Sequence, residues 1–156
     1  MRVSELLQRD SVLLHTDVAD PLEAMSVLVE LQEKNGVITN AVAYLRAVCM
    51  RENSGGCTAI GEGMALPHAR SVGVTAPAVS AMTLNHAVDW GADDGVPVDL
   101  IFMIAAPPEQ KSESLQILAR LVNLLSQPEL VEKLREAMTP TTFIDVLARA
   151  EASRFA

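Results

Sequence analysis

Apolar residues recur with two different periods along this chain, and the change of period marks out its elements. Between Asp20 and Gly36, Leu22, Met25, Leu28 and Val29 fall at three- and four-residue spacing, which predicts a helix with one apolar stripe. Asp20 supplies an N-cap, Pro21 suits the first helical position, and Gly36 supplies the stop. A second helix is predicted from Thr39 to about Glu52, with Val42, Leu45 and Cys49 on its inner face. Asn53 to Cys57 reads as a loop. Residues 77–88 alternate like a strand, and Asp89 to Pro97 is rich in turn formers. Val98 to Ala105 is a nearly unbroken apolar run, the pattern of a strand covered on both faces. A long helix is predicted from near Ser112 to Ser126, with Leu115, Leu118, Val122 and Leu125 turned inward. Pro128 opens a further helix to about Ala137, and Thr139-Pro140 starts the last one. Helices before, between and after buried strands predict an α/β fold: a single domain over residues 1–156, with a mixed central sheet flanked by helices on both faces.

A chain of 156 residues buries roughly 70% of its unfolded surface, so the core needs no disulfide or metal to hold it. Its net charge of −8 excludes a basic footprint for nucleic acid and disfavours docking on anionic lipid. No apolar run approaches the ~20 residues of a membrane span, and the first residues form no apolar signal core. The expectation is a cytoplasmic protein without direct membrane insertion. Cys49 and Cys57 lack a metal-type spacing and are expected to be reduced, with Cys49 buried in its helix and Cys57 serving packing.

One segment carries chemistry. Gly61-Glu62-Gly63-Met64-Ala65-Leu66-Pro67-His68-Ala69-Arg70 sets an imidazole directly after a proline, at the end of a predicted strand. Pro67 fixes its own φ and keeps Leu66 extended, so His68 sits on a stiff platform. A positioned imidazole is a general base, a metal ligand or a nucleophile. His15 and His86 lie outside any such pattern and are expected on the surface. A His68, His86 and Cys57 set matches no standard zinc spacing, so no metal and no cofactor are expected. A hydrolase using His68 as a general base is weakened by the lack of a G-x-S-x-G nucleophile motif.

The segment resembles the active-site signature of the fructose/mannitol-type (type 2) enzyme IIA components of the bacterial phosphoenolpyruvate-dependent sugar phosphotransferase system. That pattern is an acid or amide, six free positions, an apolar and a small residue, two free positions, then apolar-Ala-apolar-Pro-His-small. Asn53, Ile60, Gly61, Met64, Ala65, Leu66, Pro67, His68 and Ala69 fill it. Arg51-Glu52 upstream, and Val88-Asp89-Trp90, Asp94-Gly95 and Leu100 to Pro107 downstream, extend the resemblance toward the fructose branch over nearly the whole chain.

The resemblance implies a phosphocarrier. His68 would accept a phosphoryl group from phospho-HPr and pass it to a cysteine of enzyme IIB, for uptake of a fructose-like sugar by a membrane enzyme IIC. Enzyme IIB and IIC would be separate polypeptides or lie outside this sequence. The alternative within the family is a regulator of the nitrogen type, signalling by phosphorylation-dependent protein binding. Thr58 is expected to donate its hydroxyl to the phosphoryl group, and Arg51 to neutralise its charge. Amides around Gly61 and Gly63 are further candidate donors. Two departures stand out. Arg51 lies one residue further from His68 than usual, implying an extra residue in the Asn53–Cys57 loop. Ser114 occupies the place where many relatives carry a second histidine; it either bonds a phosphoryl oxygen or is a plain first-turn residue.

Overall fold

The computed structural model describes residues 2–155; Met1 and Ala156, the ends of the expected domain, lie outside the described residues. The strands are β1 (Val12–Thr16), β2 (Ala59–Gly61), β3 (Met64–Ala65), β4 (His68–Arg70), β5 (Ala78–Val88) and β6 (Val98–Ala106). The helices are α1 (Val3–Leu6), α2 (Pro21–Glu33), α3 (Ala41–Glu52), α4 (Lys111–Leu125), α5 (Pro128–Glu136) and α6 (Pro140–Arg154), and a short 3-10 turn spans Arg9–Ser11. The strands form one mixed sheet in the order β1-β5-β6-β3-β2, with β4 also paired to β6. β5 and β6 run antiparallel at its centre, and β3 and β4 both lie parallel to β6.

Alternation along β6 explains the layers. Leu100, Phe102 and Ile104 pack with Ile117, Leu121, Leu134 and Phe143 from α4, α5 and α6. Ile101, Met103 and Ala105 face Met25, Leu28, Tyr44 and Val48 from α2 and α3. Both faces of the sheet are covered, so β6 is apolar and buried from Leu100 to Ala106, as a doubly covered strand must be, with only the half-buried Asp99 near its start breaking the run. The α/β class and the helices on both faces are those the sequence predicts. Over its first seven residues β5 is buried on both faces as well, not alternately exposed; only Asn85 to Ala87 reach solvent.

Two helix phases differ from the periodicity reading. On α4 the buried row is Ser114, Ile117, Leu121, Leu124 and Leu125, while Leu115 and Val122 are 54% and 48% exposed. That helix carries apolar residues on two adjacent rows, and the sheet takes one of them. On α3 the buried residues are Tyr44 and Val48, with Leu45 and Cys49 half-buried at the margin and Val42 exposed. Leu22 of α2 is exposed too. Burial raises the pKa of the Tyr44 phenol and, together with the Glu52 charge, that of the Cys49 thiol.

His15 is not a free surface residue. The β1–β5 register shifts between Leu13 and Thr16, and His15 takes φ +51° there. Its backbone N–H donates to Thr83 Oγ1 at 2.9 Å, and its Nε2 lies 2.9 Å from the Ala137 carbonyl. His86 is exposed as expected and pairs with Asp17 at 2.8 Å. At the N-terminus, the buried Glu151 carboxylate of α6 accepts from the amides of Val3 and Ser4 and from the Ser4 hydroxyl, tying α1 to α6.

Candidate functional site

Leu66 and Pro67 interrupt the path from β3 to β4, so His68 opens a strand where the sequence pattern places it at the end of one. Proline has no N–H for the ladder, but the Pro67 carbonyl still accepts from Ile104 N at 3.1 Å. His68 then pairs opposite Ile104, Ala69 opposite Ala105 and Arg70 opposite Ala106. Its ring is fixed by its own local chain: Nδ1 lies 2.7 Å from the Leu66 carbonyl oxygen. A carbonyl only accepts, so Nδ1 carries the proton. The neutral ring therefore keeps its lone pair on Nε2.

The surroundings follow from topology. Among the described residues β4 pairs with β6 alone, so its other edge is open. β6 runs on through Pro107 and Pro108 into α4, which brings the first turn of α4 to the end of the sheet where His68 stands. Open α/β sheets bind ligands at the carboxyl ends of their parallel strands. Here a cleft of about 330 Å³ lies at that end. Ala47 and Arg51 of α3 form one wall, Lys111, Ser114, Leu115 and Leu118 of α4 the other, and β4 supplies His68, Ala69 and Arg70.

Of the residues singled out from the sequence, the cleft brings together His68, Arg51 and Ser114. Arg51 Nη1 also donates to the carbonyls of Ser54 and Gly56, at 3.2 and 3.1 Å, and so holds the loop after α3. Ser114 is 6% exposed. Thr58 is not among the residues lining the cleft. Its hydroxyl donates to Glu52 Oε2 at 2.6 Å and its amide to Glu52 Oε1 at 2.8 Å. Trp90 Nε1 donates to the same carboxylate at 2.6 Å. Glu52 is thus the knot that ties α3 to the Thr58 and Trp90 segments. Cys57 packs nearby, with Sγ 3.4 Å from the Gly91 carbonyl.

The glycine turn lies elsewhere. Met64 is opposite Leu100 and His68 opposite Ile104, so four residues of β6, roughly 13 Å, separate the turn from the imidazole. Gly61, Glu62 and Gly63 take φ of +95°, +56° and +82° in succession. Glu62 N donates to Asp94 Oδ2 at 2.8 Å, and the Glu62 and Val96 amides hold the Asp94 carboxyl below its ordinary range. Arg135 closes the turn by donating to the Glu62 carbonyl and to Asp99. A Cβ on Gly63 would stand 2.8 Å from Arg135 Nη2, which those two bonds hold in place. These glycines shape the far end of the sheet, and their amides are not donors at His68.

Sequence reasoning passed over two residues of the cleft, Arg70 and Lys111. Arg70 stands two positions after His68 in the same strand, so the period of two puts both on one side of β4. Its Nη1 donates to the Pro108 carbonyl at 2.7 Å. The lining therefore holds three cations and no carboxylate. A half-buried imidazole with a lone pair on Nε2, among cations and at the start of a helix, suits a nucleophile that takes up an anionic group.

The fold is that of a phosphotransferase-system component. Residues 5–150 match the family model described as phosphoenolpyruvate-dependent sugar phosphotransferase system, EIIA 2, and the chain belongs to that family. It is 33% identical over 147 residues to the fructose-specific EIIABC component of Bacillus subtilis (strain 168), covering 94% of this chain and 23% of that protein. The chain thus spans less than a quarter of that relative's length. It is 32% identical over 146 residues to the fructose-specific EIIA component of Haloferax volcanii, covering 94% of each. Among solved structures, nitrogen regulatory protein IIA-Ntr from Neisseria meningitidis superposes with a TM-score of 0.85 at 26% identity, covering 93% of this chain and 98% of that one. Among the described residues, no helix is long and apolar enough to cross a membrane.

Proposed function

We propose that the protein is a phosphocarrier of sugar uptake, acting in the cytoplasm, that takes a phosphoryl group from phospho-HPr on His68 Nε2 and gives it to a cysteine of an enzyme IIB. The Nδ1 contact with the Leu66 carbonyl carries this reading, because it leaves Nε2 as the nucleophile at a cationic cleft. In the first step the Nε2 lone pair attacks phosphorus, and the bond from phosphorus to the donor's imidazole breaks. The donor nitrogen leaves with that electron pair. The positive charge this leaves on the newly phosphorylated ring is stabilised by the bond that Nδ1–H donates to the Leu66 carbonyl. In the second step the IIB thiolate attacks phosphorus and His68 Nε2 recovers its lone pair. Such transfers depend on positioning and electrostatic stabilisation more than on covalent chemistry by the protein. Arg51 answers the charge on the moving group. Exposed Leu115 and half-buried Leu118 offer partner proteins an apolar rim.

Fructose-like sugar is supported by the names of the Bacillus subtilis and Haloferax volcanii relatives, and an enzyme IIB acceptor by the A, B and C parts that the Bacillus protein's name joins. Likeness to the Neisseria nitrogen regulatory protein supports a second reading, a regulator that binds partners according to its phosphorylation state. One experiment addresses both. Incubated with phosphoenolpyruvate, enzyme I and HPr, the protein is expected to gain one phosphoryl group, stable in base and lost in acid. His68→Ala is expected to gain none, while His15→Ala and His86→Ala label normally. Label in His68→Ala contradicts the assignment. Label that no enzyme IIB accepts favours the regulator.

A further inference from the structure

Arg51 and Glu52 are neighbours in the last turn of α3, yet they serve opposite sides of it. Successive side chains on a helix point about 100° apart. Arg51 lines the cleft of His68, whereas Glu52 lines a separate cavity of about 540 Å³ together with Cys57 and Trp90. Among the described residues Glu52 forms no ion pair, with Arg51 or any other cation. The same loop joins the two. Arg51 Nη1 donates to the Ser54 and Gly56 carbonyls. The path that brings both carbonyls to one nitrogen runs through Gly55 and Gly56 at φ +73° and +102°, backbone that glycine adopts freely.

A glycine loop holds a side chain only if its own ends are held. Its exit closes on the Glu52 carboxylate. Oε1 accepts from the Thr58 amide and the Trp90 indole N–H, and Oε2 accepts from the Thr58 hydroxyl. Thr58 and Trp90 are 6% and 5% exposed, so water competes little for these bonds, and each has a charged acceptor. One carboxylate thereby fastens the end of α3, the exit of the loop and the segment beyond β5.

We propose that Glu52 is a positioning residue for phosphoryl transfer: closing the loop on Thr58 and Trp90 keeps the Ser54 and Gly56 carbonyls where they aim Arg51 into the cleft. The inference rests on the phosphocarrier reading and extends it to a residue outside that cleft. The loop engages one guanidinium nitrogen, which leaves the Nε and Nη2 hydrogens for the oxygens of the moving group.

The test is a double-mutant cycle on transfer from pre-formed phospho-HPr, with the Arg51 side-chain N–H resonances of the unphosphorylated protein as a second readout. Glu52→Ala removes all three bonds and is expected to slow transfer about tenfold or more. In an Arg51→Gln background the same change is expected to slow it less than about twofold, because the group it positions is gone. Glu52→Gln retains an acceptor for the Thr58 amide and Trp90, and its own N–H reaches the Thr58 hydroxyl oxygen. It is expected to restore transfer to within about threefold of the parent. Trp90→Phe deletes one bond and keeps an aromatic ring in place, so it guards against a Glu52→Ala protein that does not fold. It is expected to slow transfer about two- to fivefold, again only when Arg51 is present. The Arg51 N–H resonances are expected to exchange slowly in the parent and in Glu52→Gln, and fast in Glu52→Ala. Slowing that is the same with and without Arg51, or no slowing in either variant, overturns the proposal. If the parent accepts no phosphoryl group, the phosphocarrier reading fails, and the Arg51 resonances alone decide whether Glu52 seats that guanidinium.

Discussion

At the scale of single residues, the imidazole is positioned by two consecutive neighbours. Leu66 gives its carbonyl to Nδ1, and Pro67 gives its carbonyl to β6. That much was legible in the Pro67-His68 pair, since proline announces a stiff, extended approach. The Glu52 contact of Thr58 was not legible, because local sequence does not show which acceptor a hydroxyl near a signature histidine takes. Glu52 stands six positions away and accepts from it at the far end of the loop. Thr58→Val, which keeps the shape and removes the hydroxyl, is expected to cost about 1.5–3 kcal/mol of stability, the range for a bond to a charged acceptor. Urea denaturation measures it. His68 labelling should slow by less than about tenfold, since an indirect effect on the Arg51–Gly56 loop is all that remains. Unchanged stability with a large loss of rate would instead put this hydroxyl at the phosphoryl group.

At the scale of elements, the sequence told strand from helix well and told helix rotation poorly. α4 has apolar residues at 115, 118 and 122 and also at 117, 121 and 124, so periodicity alone admits two phases. The sheet takes the second, and the first becomes the rim beside His68. Position 114 falls on the buried row, which is how a serine comes to point into the site. The glycine turn misled in the other direction. Its closeness in sequence to His68 suggested amide donors, but β3 spends that short distance running along β6. α3 depends on a contact that no local pattern reveals. Gly73 lies against the start of α3, accepting from Thr39 N and Asn40 N through its carbonyl. Asn40 in turn caps the helix by accepting from Ala43 N. A Cβ on Gly73 would fall 2.4 Å from the Asn40 carbonyl oxygen. Gly73→Ala is therefore expected to destabilise the protein by about 1–3 kcal/mol through overpacking against backbone. It should also slow His68 labelling, because α3 carries Arg51 into the cleft. A melting temperature equal to the parent's contradicts this account of how α3 is seated.

At the scale of the whole molecule, charge is distributed against the average. The chain has 20 acidic and 12 basic residues, yet the cleft gathers three of the latter and none of the former. Exposed charges are screened beyond about 8 Å at physiological salt, so an approaching phosphoryl group feels the local cations at contact more than the net charge. Net charge hid this reversal, which exists only after β4, α3 and α4 are assembled. The central claim is that His68 Nε2 is the atom that carries the phosphoryl group. Heteronuclear magnetic resonance on the phosphorylated, histidine-labelled protein tests it most directly. The account predicts one phosphorus, coupled to Nε2 of His68, with the Nδ1 proton still in place. A phosphorus coupled to Nδ1, or to His15 or His86, would contradict it.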